Sequence, residues 1–441
     1  MKKLLLFALL MVVTGLLADG VQPDGSGTEA DPYQMATLDN LLWVSTNDTS
    51  WASHFIQTAD IDAGDTQNWN DGEGFSPIGT NYAFSFYGCY DGQEHTIDGL
   101  HINHLDLYIG MFGRTDCATI ENLGVTNVEV DGGSYVGGLV GMNNESLISN
   151  CYSTGSVNGY AYHYTGGLVG LNSCSTVNCC YSTCSVSGYH CIGGLVGGNG
   201  GNRTVSSSYS TGNVSGNDTV GGLVGSNYYN ATISDCYSTG SVSGTGNYIG
   251  GLVGRSYNTD ALNSFWDTET SGQSTSGSGT GKTTAEMQDV ATFTSLATTG
   301  LDEPWDFVGN PFDDTGVEDY WNIDGTTNSG YPFLTDLPVG IADDEAVPPP
   351  ASAITLHPNF PNPFNPTTTI RFSVPERQSA MLEIFNLRGQ LVRSYPAFAG
   401  GSHEVVWNGV DNSGYSVGSG VYLYRLQAGG HSITRRMVLL K

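Results

Sequence analysis

The sequence predicts an all-β chain: a β-solenoid of the parallel β-helix type followed by a small β-sandwich. Three observations lead there. One phrase recurs between Tyr135 and Gly254, reading aromatic or small residue, β-branched residue, Gly-Gly-Leu-Val-Gly, a polar turn, a Cys-Tyr-Ser-Thr-Gly-like segment and a Val. Its glycine pairs, at Gly137-Gly138, Gly166-Gly167, Gly193-Gly194, Gly221-Gly222 and Gly250-Gly251, fall 29, 27, 28 and 29 residues apart, a period typical of stacked repeats. No repeat carries a helical period of apolar residues, and each has too little apolar mass to bury a face alone, so neighbours must stack.

Met1-Lys2-Lys3, the apolar run from Leu4 to Val13 and Leu16-Leu17-Ala18 read as a secretory signal peptide over residues 1–18, too short for a membrane anchor. The mature chain is therefore expected to be exported, with no membrane-spanning segment. Residues 19–107 are expected to form an N-terminal cap and the first irregular coils. Thr37 is placed to cap a short helix whose Leu38, Leu41 and Leu42 share a face. Such a helix would plug the end of a stacked sheet, where backbone groups are otherwise unpaired.

Residues 108–270 hold the repeats. Partial copies at both ends extend two adjacent columns, one of Leu123, Cys151, Cys180, Ser208, Cys236 and Phe265, the other of Gly124, Tyr152, Tyr181, Tyr209, Tyr237 and Trp266. Neighbours on a strand face opposite ways. The Cys column is expected inside, because free Cys behaves as a small buried hydrophobe, and glycine is expected at the corners. The Tyr column then faces out, with Ser153, Ser182, Ser210 and Ser238 on the Cys side. Two readings of Tyr152, Tyr181, Tyr209, Tyr237 and Trp266 stay open: an aromatic ladder that meets a glycan or protein partner, or simple stacking of like side chains on adjacent coils.

The phrase from Tyr135 to Gly141, followed by Ile148 to Gly155, resembles the GLUG motif of bacterial surface proteins. That resemblance implies a β-solenoid on an exported, often adhesin-like protein, and it implies no catalytic residue.

Residues 271–337 read as a flexible Ser/Gly-rich exit and then aromatic segments around Trp305, Trp321 and Tyr331 that close the solenoid's far end. A phosphate loop at Gly277 to Thr283 is rejected, since Ser276 stands where the first glycine is needed. Residues 338–353, with Pro348-Pro349-Pro350, form a stiff extended linker. From 354 to 441, six short strand-like runs alternate with turn signals, the rhythm of a β-sandwich. Pro361-Asn362-Pro363-Phe364, Gly389, Trp407, Asp411, Gly414, Gly420 and Tyr422 resemble the C-terminal sorting domain of type IX secretion cargo, shared with Ig-like FlgD modules. The resemblance implies an Ig-like sandwich and an outer-membrane secretion machinery as partner.

Charge narrows the function. From Asp19 to Gly340 there are four basic residues (Arg114, Arg203, Arg255, Lys282) against 36 acidic ones, hence net −32. Such a body repels nucleic acid and anionic membrane. A lyase or hydrolase on a β-helix needs a positioned base or paired carboxylates, and no such register recurs, so no enzyme and no cofactor are expected. Nine cysteines include five between Cys174 and Cys191, read as core packing with one disulfide among Cys174, Cys179, Cys184 and Cys191; their gaps lack a C-x-x-C knuckle for zinc. Gly414 to Gly418 matches Gly-x-Ser-x-Gly but lies in a turn. Acidic clusters at Asp60 to Asp65 and Asn70 to Glu73 do not complete a calcium loop. What remains is a surface protein, either adhesive or glycan- or partner-binding, or else a passive spacer or surface-layer component.

Overall fold

A computed structural model describes residues 20–81, 83–160, 163–201, 203–257, 259–308, 320–335, 355–356, 359, 364–386, 388, 390–428 and 431–440. The expected signal peptide and Pro-rich linker lie outside the described residues. The chain divides into two compact units between residues 343 and 344.

The first unit is a β-solenoid in which one repeat makes one coil. Each coil contributes to three parallel faces. One coil, for example, runs through Val140–Asn144, then Leu147–Ser149, then Tyr152–Gly159, and Val169–Ser173 begins the next. Register follows the sequence period: Val140 pairs with Val169, Val169 with Val196, Val196 with Val224 and Val224 with Val253. Among the described residues, the face that contains Leu147–Ser149 has nine strands, from Tyr33–Met35 to Ala261–Leu262. At about 4.8 Å between strands it is about 40 Å long.

The interior alternates apolar layers with one polar line. Ile120, Ile148, Val177, Val205 and Ile233 stack in one buried column, and Leu139, Leu168, Leu195, Leu223 and Leu252 in another. Between them runs a ladder of fully buried amides: Asn143, Asn172, Asn199 and Asn227. Each Nδ2 donates to the Oδ1 of the next coil at 2.9 Å. The ends close on hydroxyls, with Thr115 Oγ1 donating to Asn143 at 2.8 Å and Asn227 donating to Thr259 Oγ1 at 2.8 Å. An amide is donor and acceptor at once, so it can repeat without orphaning a polar group.

The corners are not glycine corners, contrary to expectation. Asn122, Asn150, Cys179, Ser207, Asp235 and Asn263 occupy one corner per coil with φ between 45° and 54°. Tyr135, Tyr164, Cys191, Thr219 and Tyr248 occupy another, also at positive φ. A left-handed non-glycine residue costs about 1–2 kcal/mol; at the first corner, bonds between coils accompany it, Asn150 Nδ2 donating to Asn122 Oδ1 and Asn263 Nδ2 to Asp235 Oδ1, both at 3.1 Å. The glycines serve close approach instead. A Cβ on Gly166 would collide with the Val169 carbonyl, and one on Gly167 with the Gly194 carbonyl of the next coil and the Ser182 hydroxyl.

Both ends are covered. The helix Leu38–Thr46 starts at Thr37, whose hydroxyl accepts from Asn40 N in a capping box, and Leu41 and Val44 enter the solenoid core. At the other end the Ser/Gly-rich segment, expected to be a flexible exit, makes a last partial coil. Gly251 N donates to Thr275 O, Gly277 N to Val253 O, and Thr280–Lys282 pairs in parallel with Phe265–Asp267. Serine supplies the backbone partners a terminal coil lacks, Ser276 Oγ accepting from Val253 N at 2.9 Å.

The second unit is antiparallel. Two runs expected as separate strands form one long strand, Thr368–Asn386, which pairs with Phe398–Trp407 through its first part and with Gly420–Ala428 through its second. His431–Leu439 adds to the outer side of Gly420–Ala428.

The amide ladder gives a direct test. Asn172→Leu leaves Asn143 and Asn199 without their partner, at about 1–3 kcal/mol for each orphaned group. The denaturation midpoint should fall accordingly, whereas Asn213→Ala, which removes the exposed bond to Ser241 that water can replace, should shift it little.

Candidate functional site

The Tyr column forms a regular ladder. Tyr152–Tyr181, Tyr181–Tyr209 and Tyr209–Tyr237 ring centroids lie 4.8, 4.9 and 5.0 Å apart with planes within 8°. This is the coil spacing itself. Face-to-face stacking is not the arrangement isolated rings prefer; backbone pairing of Tyr152 with Tyr181, Tyr181 with Tyr209 and Tyr209 with Tyr237 imposes it.

The ladder points away from the solenoid core, as expected, but it is not open to solvent. Tyr152, Tyr181, Tyr209 and Tyr237 are 5, 0, 1 and 0 % exposed. They form a second core with Phe293, Trp305, Phe307, Trp321 and Tyr331. The aromatic segments thus lie along the side of the solenoid, where they had been expected to close its far end. Trp321 sits 6.1 Å from Tyr209 and 5.9 Å from Tyr237.

Hydrogen bonds lock this cover. Tyr237 Oη donates to Pro332 O and accepts from Asn328 Nδ2 at 2.6 Å. Trp305 Nε1 donates to Asn263 O at 2.9 Å. The fully buried Asp267 carboxylate accepts from Tyr331 Oη and Thr284 Oγ1, both at 2.7 Å, and caps the helix Thr268–Ser271 through Glu269 N and Thr270 N. The requirement that buried tyrosine hydroxyls find partners was legible in the sequence; the partners, 64 to 95 residues away, were not.

Trp266 is not part of the ladder. Tyr237 pairs with Phe265, and Ser238 with Trp266. The last repeat is therefore one residue out of the expected alignment, and Ser264, not Phe265, takes the Cys position. The reason is a hydrogen bond: Ser264 Oγ accepts from Cys236 N as Ser208 Oγ accepts from Cys180 N. Trp266 instead packs into the solenoid core and donates to Gln273 O at 3.0 Å.

The Cys column does face inward. Cys151, Cys180 and Cys236 are fully buried, and each Sγ donates to a carbonyl two residues back, at 3.2, 3.1 and 3.0 Å. Ser208 makes the same bond to Ser206 O, which explains why the two residue types alternate. Burial pushes the Cys151 thiol up to about 12 and Cys180 and Cys236 well above the usual range. Ser153 and Ser238 also face inward, donating to Gly167 O and Gly251 O. All nine cysteines are free thiols, Cys174, Cys179, Cys184 and Cys191 included. Their stations on separate columns of the coil leave the expected disulfide unmade. Among the described residues, Asp116, Cys117 and Glu145 alone gather three possible ligand atoms within 4.8 Å, on an outer corner.

A second aromatic strip was not expected, although Tyr135, Tyr164 and Tyr248 stand before three of the five β-branched-Gly-Gly phrases. The left-handed corner places Tyr108, Tyr135 and Tyr164 in register, with ring centroids 5.2 and 5.7 Å apart, over Met142 and Leu171. Tyr228 continues it 6.4 Å from Tyr164. One coil on, the Arg255 guanidinium lies 4.3 Å from the Tyr248 ring and 4.0 Å from the Tyr257 ring. Here the rings reach solvent: Tyr229, Tyr248 and Tyr257 are 76, 48 and 44 % exposed.

In the second unit the motif residues that are described meet. Phe364 and Tyr422 pack on Trp407 at 5.6 and 5.1 Å. Trp407 Nε1 donates to Val410 O, and Tyr422 Oη to Gly418 O. Asp411 Oδ1 accepts from Ser413 N and Tyr415 N, closing a turn in which Gly414 takes φ +83°, and Gly420 opens the strand Gly420–Ala428. Pro361, Asn362, Pro363 and Gly389 lie outside the described residues.

Comparison with known proteins agrees with both parts. The GLUG motif matches residues 132–158 and 216–243, and the FlgD Ig-like domain matches residues 364–432. Halomucin of Haloquadratum walsbyi is 38 % identical over 141 residues, 31 % of this chain and 2 % of that protein. A "Putative Gly-rich membrane protein" of Evansella cellulosilytica is 36 % identical over 134 residues, 29 % of this chain and 15 % of that protein. The chain thus spans a small part of the length of either relative. Among solved structures, dimeric latent PorU from Porphyromonas gingivalis is 24 % identical over 25 % of this chain and 10 % of its own, with a TM-score of 0.18. No helix among the described residues is long and apolar enough to cross a membrane.

Two measurements test this geometry. Thiol reagents should label exposed Cys117 and Cys174 in the native protein and reach Cys151, Cys180 and Cys236 only after unfolding. Alkali should unfold the chain. Burial raises Tyr152 to about 12 from an ordinary 10.0, and Tyr209 and Tyr237 further, so the unfolded chain releases these protons first. Their contribution to stability is complete below pH 10 and is lost as pH rises from there.

Proposed function

We propose that this is an exported surface protein whose solenoid is a non-catalytic, stiff carrier that holds a binding face away from the cell, and whose C-terminal unit directs its secretion. One observation carries the reading: the side chains that define the repeat are engaged inside the solenoid or under its cover. The Asn ladder and the Tyr stack under its cover join coil to coil, and the Cys and Ser side chains turn onto nearby carbonyls inside the solenoid. Binding then falls to residues that vary from coil to coil. This favours a carrier over the Tyr152-to-Tyr237 ladder as docking site, since a ligand there would have to displace Trp305 and Trp321.

The matched GLUG repeats and FlgD Ig-like domain support export of a two-part protein, as does the charged and then apolar N-terminus. Removal of residues 354–441 is expected to leave the solenoid trapped in the periplasm of a type IX secreting host, while the full chain becomes accessible to external protease. Equal surface display of the truncated and full chains would remove the secretion role.

A further inference from the structure

The acidic body of the solenoid has four cations, and the structure distributes them unevenly. Arg114 is buried, its guanidinium bonded to Asp116 at 3.1 Å and to Ser85 at 3.0 Å. Lys282 is buried beneath the cover, 5.5 Å from the Phe265 ring. Only Arg203 and Arg255 reach solvent. They belong to coils two repeats apart and flank the same turn column of the solenoid, Arg255 on the strand Val253–Ser256 before it and Arg203 at its end, just before Thr204–Ser206. Pairing of Thr204 with Thr232 sets Arg203 one coil below the turn that carries Tyr229, and pairing of Ser226 with Arg255 sets Arg255 one coil above the strand Val224–Tyr228.

Between and around them stand the exposed rings. The Tyr248 and Tyr257 rings both lie against the Arg255 guanidinium, 4.3 and 4.0 Å from its central carbon. A guanidinium held over aromatic rings keeps its charge and its in-plane N–H donors, the fork that takes a carboxylate through two parallel hydrogen bonds. Tyr229, at 76 % exposed, offers a ring with no large cost of desolvation. The patch therefore combines apolar ring surface with two cations spaced along the stacking axis.

We infer that this edge binds a carboxylated polysaccharide, its sugar faces on Tyr229 and Tyr257 and its carboxylates on Arg255 and Arg203. This deepens the carrier reading above and rests on it. The charge balance selects the ligand. With 36 acidic residues against four basic ones over residues 19–340, the body repels a densely charged polyanion such as duplex DNA, which carries one charge per about 1.7 Å. A chain with one carboxylate per sugar presents fewer charges, and apolar ring faces separate them. Neutral glycans would find the rings but leave both guanidinium groups without a counter-charge.

The test uses the purified full chain in affinity gels containing polygalacturonate, its methyl ester, or duplex DNA. Polygalacturonate should retard the protein, the ester at least tenfold less, and DNA not at all, with retardation falling as salt is raised. R203Q combined with R255Q should lower affinity at least tenfold with unchanged thermal unfolding. Tyr229→Ser, at a site too exposed to affect folding, should weaken it severalfold. Absence of retardation by polygalacturonate, equal retardation by the ester or DNA, or retardation indifferent to these substitutions would overturn the inference. Because the assay is done in solution, its failure leaves surface display intact, and a failure of display leaves the binding result intact.

Discussion

Everything in the first unit follows from parallel, in-register stacking of coils at the strand spacing of about 4.8 Å. At that distance each side chain meets its own copy above and below, so a buried residue type survives only if it is compatible with itself. Apolar residues satisfy this trivially. Polar ones do so if they are donor and acceptor at once, as the amides of Asn143, Asn172, Asn199 and Asn227 are, or if they turn onto a nearby carbonyl, as Cys180 and Ser208 do. A carboxylate ladder would repel itself, and Asp267 is buried only where the repeat ends and Tyr331 and Thr284 come to meet it.

The same constraint separates the two aromatic strips. The Tyr152-to-Tyr237 ladder rises from a flat strand segment, so its rings stack nearly parallel and present a continuous apolar surface. Such a surface is too large to leave in water, and the cover built on Trp305 and Trp321 removes it. The other strip springs from a left-handed corner, where the repeat is less strict: Cys191 and Thr219 interrupt the tyrosines. Interruption breaks the apolar surface into separate rings, and at its far end Arg255 lies against two of them. The first strip is core throughout; the second is buried or half-buried from Tyr108 to Tyr164 and exposed at Tyr248.

Period, coil count per repeat, the inward Cys and Ser positions and the Thr37-capped helix were legible, because each depends on local spacing or on a property repeated in every copy. The amide ladder was equally repeated, with Asn at a constant place in four copies, but a polar residue next to a turn reads as solvated unless its neighbours in the next coil are considered. The last repeat misled because Ser264-Phe265-Trp266 fits either alignment by size. Only the bond from Cys236 N to Ser264 Oγ distinguishes them.

By itself the sequence determined the solenoid and the separate C-terminal β unit, since a 28-residue period of self-compatible side chains admits little else and turn chemistry marks the second unit's strands. Which outward face is exposed was decided by tertiary structure alone. Tyr237 meets Pro332 and Asn328, and Trp305 meets Asn263, across separations of roughly forty to ninety-five residues. Such contacts depend on where a non-repeating segment comes to rest, and no periodic signal encodes that. The placement of Arg203 and Arg255 about one turn column has the same origin: residues 52 apart in sequence flank that column because the chain winds about twice between them.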